Sequence, residues 1–274
     1  MADSKMAIDD AKERGPKPQP PCVAPRDPPA YKTVLKQILF TGLLTAFSPY
    51  LIYVAISKYS IFRDCYQKSQ RKSIKAETTY ADEALAKRVW GSGVGAAYYD
   101  TVEFQAEEGW CGSATMRCVL KSLVRMGQMD AAKVPDAKRG PMTATKYANQ
   151  LDEHSGGITS STVIFGADGY PAFLEAIKKS NDPKFRLSIN FLRSALFGAP
   201  GSIFFPPNFM KSFFGGHFSP VVAFLEKEDL VAVFDVNHNY GLFFVSSQRL
   251  YDSINTLDVQ SGVSRAIVLS KVEA

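Results

Sequence analysis

The longest uncharged apolar stretch of the chain lies near its N-terminus. Residues 37–57, QILFTGLLTAFSPYLIYVAIS, contain no charged side chain. As a helix, this segment would span roughly 30 Å, the thickness of the hydrocarbon core of a bilayer. We therefore predict a transmembrane helix over 36–58. The alternatives are a buried core helix and a secretory signal peptide. A signal peptide would end at small residues, whereas Tyr50, Tyr53 and Lys58 are found here.

Apolar positions downstream of residue 90 follow two different periods. The segment CGSATMRCVLKSLVRM at 111–126 places apolar residues three to four positions apart, which predicts an amphipathic helix. The runs HFSPVVAFL and LVAVFDV, separated by polar residues 226–229, predict a β-hairpin, and further strands are predicted at 242–246 and 264–270. Helices in the first half followed by strands in the second favour the α+β class.

Glycine-containing segments are predicted to be irregular. Loops are expected at 136–143, 153–162 and 198–208, and His154 in the second of them is interpreted as a solvated loop residue. The alternate glycines Gly91, Gly93 and Gly95 do not form a phosphate-binding loop, since no strand precedes them and no P-loop lysine follows. We interpret this stretch as a flexible connection.

The distribution of charge supports the membrane interpretation and argues against a nucleic-acid partner. The chain has 32 Lys and Arg against 27 Asp and Glu, a net charge of +5, but residues 91–274 are close to neutral. The excess falls just after the apolar segment, which predicts a basic juxtamembrane linker over 59–90 and a cytoplasmic domain over 91–274. Most of the prolines of the first thirty residues stand beside charged residues, which predicts a disordered tail over 1–35.

The cysteines show neither a disulfide pattern nor a metal-binding pattern. There are four, Cys22, Cys65, Cys111 and Cys118, and their spacing is typical of a reducing compartment. No CxxC pair or Cys/His cluster with metal-ligand spacing occurs. The sequence therefore predicts no metal-binding residues and no tightly bound cofactor.

Four residues together suggest a nucleophilic thiol. Cys111 begins the predicted helix, where free backbone N–H groups and the helix dipole favour a thiolate. His217 begins one predicted strand and Asp235 ends the next, so a hairpin would bring both to the same end of the sheet. Thiol catalysis needs a histidine beside the thiol and a group that orients that histidine. Gln105 is predicted to offer its amide to an oxyanion.

Each of these residues also has an ordinary structural interpretation. Cys111 could be a small core residue, His217 a satisfied strand residue and Asp235 a turn residue, so only their conjunction favours an active site. His238, three residues after Asp235, is interpreted as a rival base or a substrate contact. Cys118, one heptad after Cys111, is predicted to be an inert core residue.

Several motifs resemble the phytochelatin synthases. They are FQAEEGWCGSATMRCVLKSL at 104–123, GGHFSPVVAF at 215–224, VFDV at 233–236 and a weaker match at 252–270. The resemblance implies a papain-like fold for the domain. It also implies a role for each of the four residues: nucleophile, general acid/base, orienting carboxylate and oxyanion-hole amide, for Cys111, His217, Asp235 and Gln105.

The implied reaction is attack on the Cys–Gly bond of glutathione. Glycine would be released, and γ-glutamylcysteine would pass from a thioester to another glutathione or to water. A divalent metal of the Cd or Zn class would act as a metal–thiolate substrate or as an activator. The expected partners are thus glutathione, related thiol peptides and a membrane, without nucleic acid.

The chain also departs from the family pattern. Where the family usually has an Ala-Arg pair after the Asp-Val, this chain has Asn237, His238 and Asn239 before Tyr240. Upstream of GGHFSP the family tends to have a Tyr-x-Arg element, and the nearest basic residue there in this chain is Lys211. Because carboxylates are held best by arginine, we expect hydrolysis to exceed transfer.

Two other functions remain open at this point. The first is a cysteine peptidase or amidase acting on another peptide with the same four residues. The second is a membrane-tethered binding pseudoenzyme, although such a protein would be expected to have lost at least one of the four.

Overall fold

The structure, a computed structural model, describes most of the chain after the apolar segment. The described residues are 59–140, 143–198 and 216–273, together with Tyr53, Ile56 and Ser57. The predicted tail over 1–35 and most of the predicted transmembrane helix over 36–58 lie outside them. Within this described part, no helix combines the length and the apolar content needed to cross a membrane.

The described chain contains both helices and strands. The α-helices are α1 Tyr59–Ser69, α2 Glu83–Trp90, α3 Gly93–Tyr98, α4 Cys111–Arg125, α5 Ala144–Ser155, α6 Tyr170–Lys178, α7 Arg193–Phe197 and α8 Ser247–Ile254. Single 3-10 turns occur at Ile74–Ala76, Ala131–Lys133, Gly166–Asp168 and Lys179–Asn181. The strands are β1 Thr159–Phe165, β2 Phe185–Leu192, β3 Gly216–Leu225, β4 Leu230–Asp235, β5 Gly241–Ser246 and β6 Ala266–Val272.

The six strands form one antiparallel sheet in the order β1-β6-β2-β3-β4-β5. His217 at the start of β3 pairs with Phe191 near the end of β2. Asp235 at the end of β4 pairs with Gly241 at the start of β5. Since neighbouring strands run in opposite directions, the end of β2, the start of β3 and the end of β4 all lie at one end of the sheet.

The sheet is buried on both faces, which explains the nearly continuous apolar runs of β3 and β4. One face packs on α4 and α5, where Leu120, Leu123 and Tyr147 are fully buried. The other face packs on α6 and α8, where Phe173 and Leu250 belong to the second core cluster. These two layers hold the central strands rigidly beneath the site at the end of the sheet.

The predicted helix over 111–126, the hairpin of β3 and β4 and the two later strands are present. The α+β class is therefore confirmed, while the papain-like arrangement stays a prediction. Strand β2 was not predicted, although FRLSINFL alternates apolar residues with Arg186, Ser188 and Asn190, a period that indicates a strand. The structure buries all three, and Arg186 Nε donates to Ser122 Oγ at 2.8 Å.

The stretch 59–90 differs from the linker predicted for it. Helix α1 packs through Ile61 and the fully buried Cys65 against Leu192 and Ala195 of the domain. Ile74 is also fully buried in the core. The basic residues of this stretch are therefore carried by packed helices and turns, and the folded unit begins before residue 91.

The interpretation of the alternate glycines as a flexible connection is also wrong. Ser92 caps helix α3, and its side chain accepts the N–H of Gly95. A Cβ atom on Gly95 would lie 1.8 Å from the carbonyl oxygen of Val89, so this glycine permits a close approach of two backbone segments. The expected loop over 153–162 likewise contains the end of α5, with His154 in its last turn, and the start of β1.

Candidate active site

A cavity of about 410 Å³ opens at the end of the sheet where β2, β3 and β4 meet. Its lining comes from the segment before α4, the start of α4, helix α7 and the β4–β5 turn. The lining includes Gln105, Cys111, Arg193, His217, Asn237 and Tyr240. The structure thus places three of the four predicted site residues on the cavity wall, and the fourth, Asp235, directly behind His217.

Cys111 is the first residue of α4, so its thiol stands at the positive end of a helix of 15 residues. The side chain is half-buried. Burial alone would raise the pKa of this thiol. The charge of His217, a hydrogen bond with it and the backbone N–H of Phe218 outweigh burial, so the pKa of Cys111 is lowered.

His217 and Asp235 form a buried pair. His217 Nε2 lies 2.6 Å from Asp235 Oδ1, and the same oxygen accepts the backbone N–H of Asn237 at 2.8 Å. Burial and Arg193 act to lower the pKa of His217, but Asp235 and Cys111 raise it above its ordinary value. Burial acts to raise the pKa of Asp235, but His217 and Arg193 lower it. The carboxylate therefore stays ionised and fixes the ring.

Gln105 is tied to the end of β4. Its backbone N–H donates to the carbonyl of Val236 at 2.7 Å, which places this residue beside the Asp235 end of the site. Its side-chain Oε1 is buried and has no hydrogen-bond partner within the described residues. Because Gln105 and Cys111 line the same cavity, the side-chain amide and the first N–H groups of α4 reach one space.

Arg193 is the main site residue that sequence reasoning missed. It follows directly on β2, and its Nη2 lies 2.6 Å from His217 Nδ1 and 3.5 Å from Asp235 Oδ1. Since a guanidinium can only donate, this contact fits the neutral ring, in which Nδ1 accepts and Nε2 donates to Asp235. The charged ring that lowers the pKa of Cys111 has a proton on both nitrogens. A signal was available: Phe191, Leu192 and Arg193 resemble the Tyr-x-Arg element more closely than the residues around Lys211 do.

This finding corrects the expectation that the site lacks an arginine. Lys211, taken as the nearest basic residue, lies outside the described residues, whereas Arg193 lines the cavity. The Arg193 guanidinium carbon also lies 5.0 Å from the centre of the Tyr240 ring. A cation therefore stands between the His217–Asp235 pair and the aromatic wall of the cavity.

A second group of polar atoms lies behind Gly216. Arg265 is fully buried, and its Nη1 donates to Thr256 Oγ1 and to the Leu257 carbonyl, each at 2.9 Å. Its Nη2 lies 3.9 Å from Asp258 Oδ1, an ion pair without a hydrogen bond. Within the described residues, Arg265 Nε and Nη2 and Asn190 Oδ1 have no hydrogen-bond partner. A Cβ atom on Gly216 would lie 3.4 Å from Arg265 Nε and 3.5 Å from Asn190 Oδ1.

The remaining residues singled out from the sequence lie elsewhere. His238 is half-buried in the β4–β5 turn and is not part of the cavity lining, although its neighbours Asn237 and Asn239 are. Cys118 is fully buried, and burial raises the pKa of its thiol to about 12. In the regions that the structure describes, no three His, Cys, Asp or Glu residues are grouped so that they could hold a metal ion.

Comparison with known proteins identifies the family. The family model for phytochelatin synthase matches residues 82–267, about two thirds of the chain and nearly all of the region that contains the cavity. A search of curated proteins finds no match. The family match supports γ-glutamylcysteine transferase activity in general terms, with glutathione as the substrate. The chain belongs to the phytochelatin synthase family.

Proposed function

We propose that this protein is a membrane-anchored thiol acyltransferase or peptidase that cleaves the Cys–Gly bond of glutathione through a γ-glutamylcysteinyl thioester on Cys111. The single observation that carries the proposal is the site geometry. A thiol of lowered pKa at a helix start meets His217, whose Nε2 lies 2.6 Å from the buried Asp235. This is the arrangement that thiol catalysis requires.

In the first half-reaction, the Cys111 thiolate attacks the carbonyl carbon of the Cys–Gly bond. The Gln105 amide and the Cys111 backbone N–H would stabilise the oxyanion that forms. His217 then gives its proton to the glycine nitrogen as the C–N bond breaks, leaving a thioester on Cys111. Water or the amine of a second glutathione releases the acyl group in the second half-reaction.

Arg193 must move for this step to proceed. Its Nη2 donates to His217 Nδ1 at 2.6 Å, and a protonated Nδ1 could not accept that bond. A carboxylate of the bound substrate would attract the Arg193 guanidinium and leave Nδ1 available for a proton. Substrate binding and formation of the thiolate–imidazolium pair would thus be linked through one side chain.

The polar atoms behind Gly216 suit the γ-glutamyl end of the substrate. That end carries an α-carboxylate and an α-ammonium group. Arg265 offers two N–H donors for the carboxylate, and Asn190 Oδ1 offers an acceptor for the ammonium. The absent side chain of Gly216 keeps the approach from the cavity short. The γ-glutamyl end of glutathione carries a partner for both Arg265 and Asn190. An ordinary peptide bond at this position has neither a carboxylate nor an ammonium group.

Incubation of the full-length protein in detergent with millimolar glutathione tests the function. Mass spectrometry should detect free glycine together with γ-glutamylcysteine or longer γ-glutamylcysteine peptides. Parallel reactions with and without Cd²⁺ or Zn²⁺ test whether a metal–thiolate complex of glutathione is the better substrate. Cleavage of other peptides without release of glycine from glutathione would instead favour a peptidase of different specificity.

The membrane anchor is a separate proposal. Residues 37–57 are uncharged and long enough to span a bilayer, and basic residues follow them, which favours a domain on the cytoplasmic side. The full-length protein should remain in the membrane pellet after a carbonate wash. Extraction by that wash would contradict the anchor.

A further inference from the structure

We propose that Lys75 binds a carboxylate of the acceptor thiol peptide and thereby sets how much of the thioester is transferred rather than hydrolysed. Lys75 precedes the segment matched by the family model, which begins at residue 82. The inference rests on the proposed function, because it concerns the second half-reaction at the same cavity.

Lys75 contacts residues of the cavity wall, although it is not itself one of the lining residues. Its Nζ lies 4.4 Å from the centre of the Tyr240 ring, 5.9 Å from that of Phe197 and 3.5 Å from the Asn239 carbonyl oxygen. All three of these residues line the cavity. The ammonium group thus lies beside the part of the cavity wall that Phe197 and Tyr240 form.

The backbone around Lys75 is fixed from both sides. Ile74 is fully buried in the core, and Ser73 caps the short turn by accepting the N–H of Lys75. Just upstream, Arg71 pairs with Asp252, and the Lys72 carbonyl accepts a hydrogen bond from Arg249 at 2.9 Å. The position of the Lys75 side chain near the cavity is therefore a property of the fold.

The Lys75 ammonium group is able to bind an anion. Its contacts in the described part of the chain are one long hydrogen bond to a carbonyl and the faces of two rings, none of which neutralises its charge. An ammonium group has three donors. At least two N–H groups can therefore receive a carboxylate that enters the cavity.

The order of the strands indicates which substrate that carboxylate belongs to. Asn190 lies on β2 and Arg265 directly precedes β6, on one side of β3, whereas Asn239 and Tyr240 join β4 to β5 on the other side. His217 on β3 stands between these groups. If Asn190 and Arg265 hold the acyl donor, the side with Lys75 and Tyr240 is left for the second molecule.

The transfer step needs the acceptor amine to be held in place. Its nitrogen attacks the thioester carbonyl carbon, a C–N bond forms and the C–S bond to Cys111 breaks. His217 takes the proton from the amine and returns it to the departing thiolate. A carboxylate one carbon from that amine, held by Lys75, would keep the amine near the thioester in competition with water. The β4–β5 turn has no lysine or arginine of its own, and Lys75 would thus add a second cation beside Tyr240, next to Arg193.

The test compares the variants Lys75→Gln, Lys75→Arg and Lys72→Gln with the wild type. The full-length protein is incubated with a series of glutathione concentrations, and the ratio of transfer product to free γ-glutamylcysteine is measured. We expect Lys75→Gln to lower this ratio about five- to tenfold at subsaturating glutathione and Lys75→Arg to restore most of it. Lys72→Gln should match the wild type, since within the described residues Lys72 is bonded through its backbone carbonyl and its side chain is exposed.

The outcomes separate this inference from the proposed function. If the wild type releases no glycine from glutathione, the proposed function itself fails. If glycine is released but Lys75→Gln partitions like the wild type, the role of Lys75 is wrong while the proposed function stands. Release of glycine without any transfer product from the wild type would overturn the acceptor site as well. Alkylation of Cys111 in each variant verifies that the site is folded.

Discussion

Replacement of Cys111 by serine is expected to lower glycine release from glutathione by at least about three orders of magnitude. The hydroxyl of serine cannot reproduce the thiolate that His217 and the start of α4 stabilise, because its pKa is far higher than that of a thiol. No thioester can then form. The measurement is glycine release per enzyme molecule, with mass spectrometry of the intact protein to detect the acyl adduct in the wild type.

Cys118→Ser is the matched control for this prediction. Cys118 lies two turns further along the same helix, fully buried, and its thiol contacts the backbone of Glu103. Burial raises the pKa of this thiol to about 12, so the thiol stays protonated near neutral pH. This variant should keep most of the activity. Equal loss in both variants would contradict the assignment of Cys111 as the nucleophile.

Replacement of Asp235 by asparagine is expected to lower kcat by about one to two orders of magnitude, because an amide can orient the histidine of a thiol enzyme but has no charge to stabilise the imidazolium. Asp235 is fully buried, and its Oδ1 holds both His217 Nε2 and the Asn237 N–H. An amide nitrogen turned toward His217 would favour the wrong tautomer, and an amide oxygen would not stabilise the imidazolium. Asn237→Ala, which changes a side chain of the same turn and keeps the backbone N–H, should cost far less.

The pH dependence of alkylation provides a second readout of Asp235. The lowered pKa of Cys111 and the raised pKa of His217 define a window in which the thiolate and the imidazolium coexist. Below this window the thiol is protonated, and above it His217 loses its proton. Asparagine at 235 removes a negative charge that raises the pKa of His217, so the upper limit of the window should move to lower pH.

Iodoacetamide labelling of Cys111 across pH would show this change. In the wild type, labelling should persist well below the pH at which an ordinary cysteine becomes unreactive. In Asp235→Asn, labelling at low pH should weaken, because a less basic His217 stabilises the thiolate less. Superimposable profiles for the two proteins would show that Asp235 does not control the charge of His217.

Much of the site followed from local patterns in the sequence. The three-to-four spacing after Cys111 predicted its helix, and the paired β runs predicted the hairpin that carries His217 and Asp235. A hairpin has two antiparallel strands, so the start of one and the end of the other necessarily coincide. His217 and Asp235 could therefore be grouped before any tertiary contact was known. Cys111 was added because thiol catalysis needs such a pair beside the thiol, and the motifs around the three residues indicated the family.

Only the tertiary structure revealed the residues whose role depends on distant partners. Strand β2 has buried polar residues, and Arg186 is satisfied by Ser122, 64 positions away. The alternation of FRLSINFL indicates a strand with an exposed polar face. The burial of that polar face is not indicated locally, because an arginine is expected to be exposed until its partners are known. Helix α1 and the turn at Ile74–Ala76 also contact residues that lie far away along the chain. No local pattern therefore predicts that α1 packs on the domain or that the turn places Lys75 beside the cavity.

The fold class, the candidate nucleophile Cys111 and the His217–Asp235 pair could be predicted from the sequence, because periodicity and strand direction are local properties. Which cations lie at the cavity could be seen only in the folded chain. Arg193 meets His217 only because β2 ends beside β3, and Lys75 meets Tyr240 only because an N-terminal turn packs on the β4–β5 connection. Such contacts join segments that lie far apart along the chain. Side-chain burial and strand order bring these segments together, and no local pattern encodes either of them.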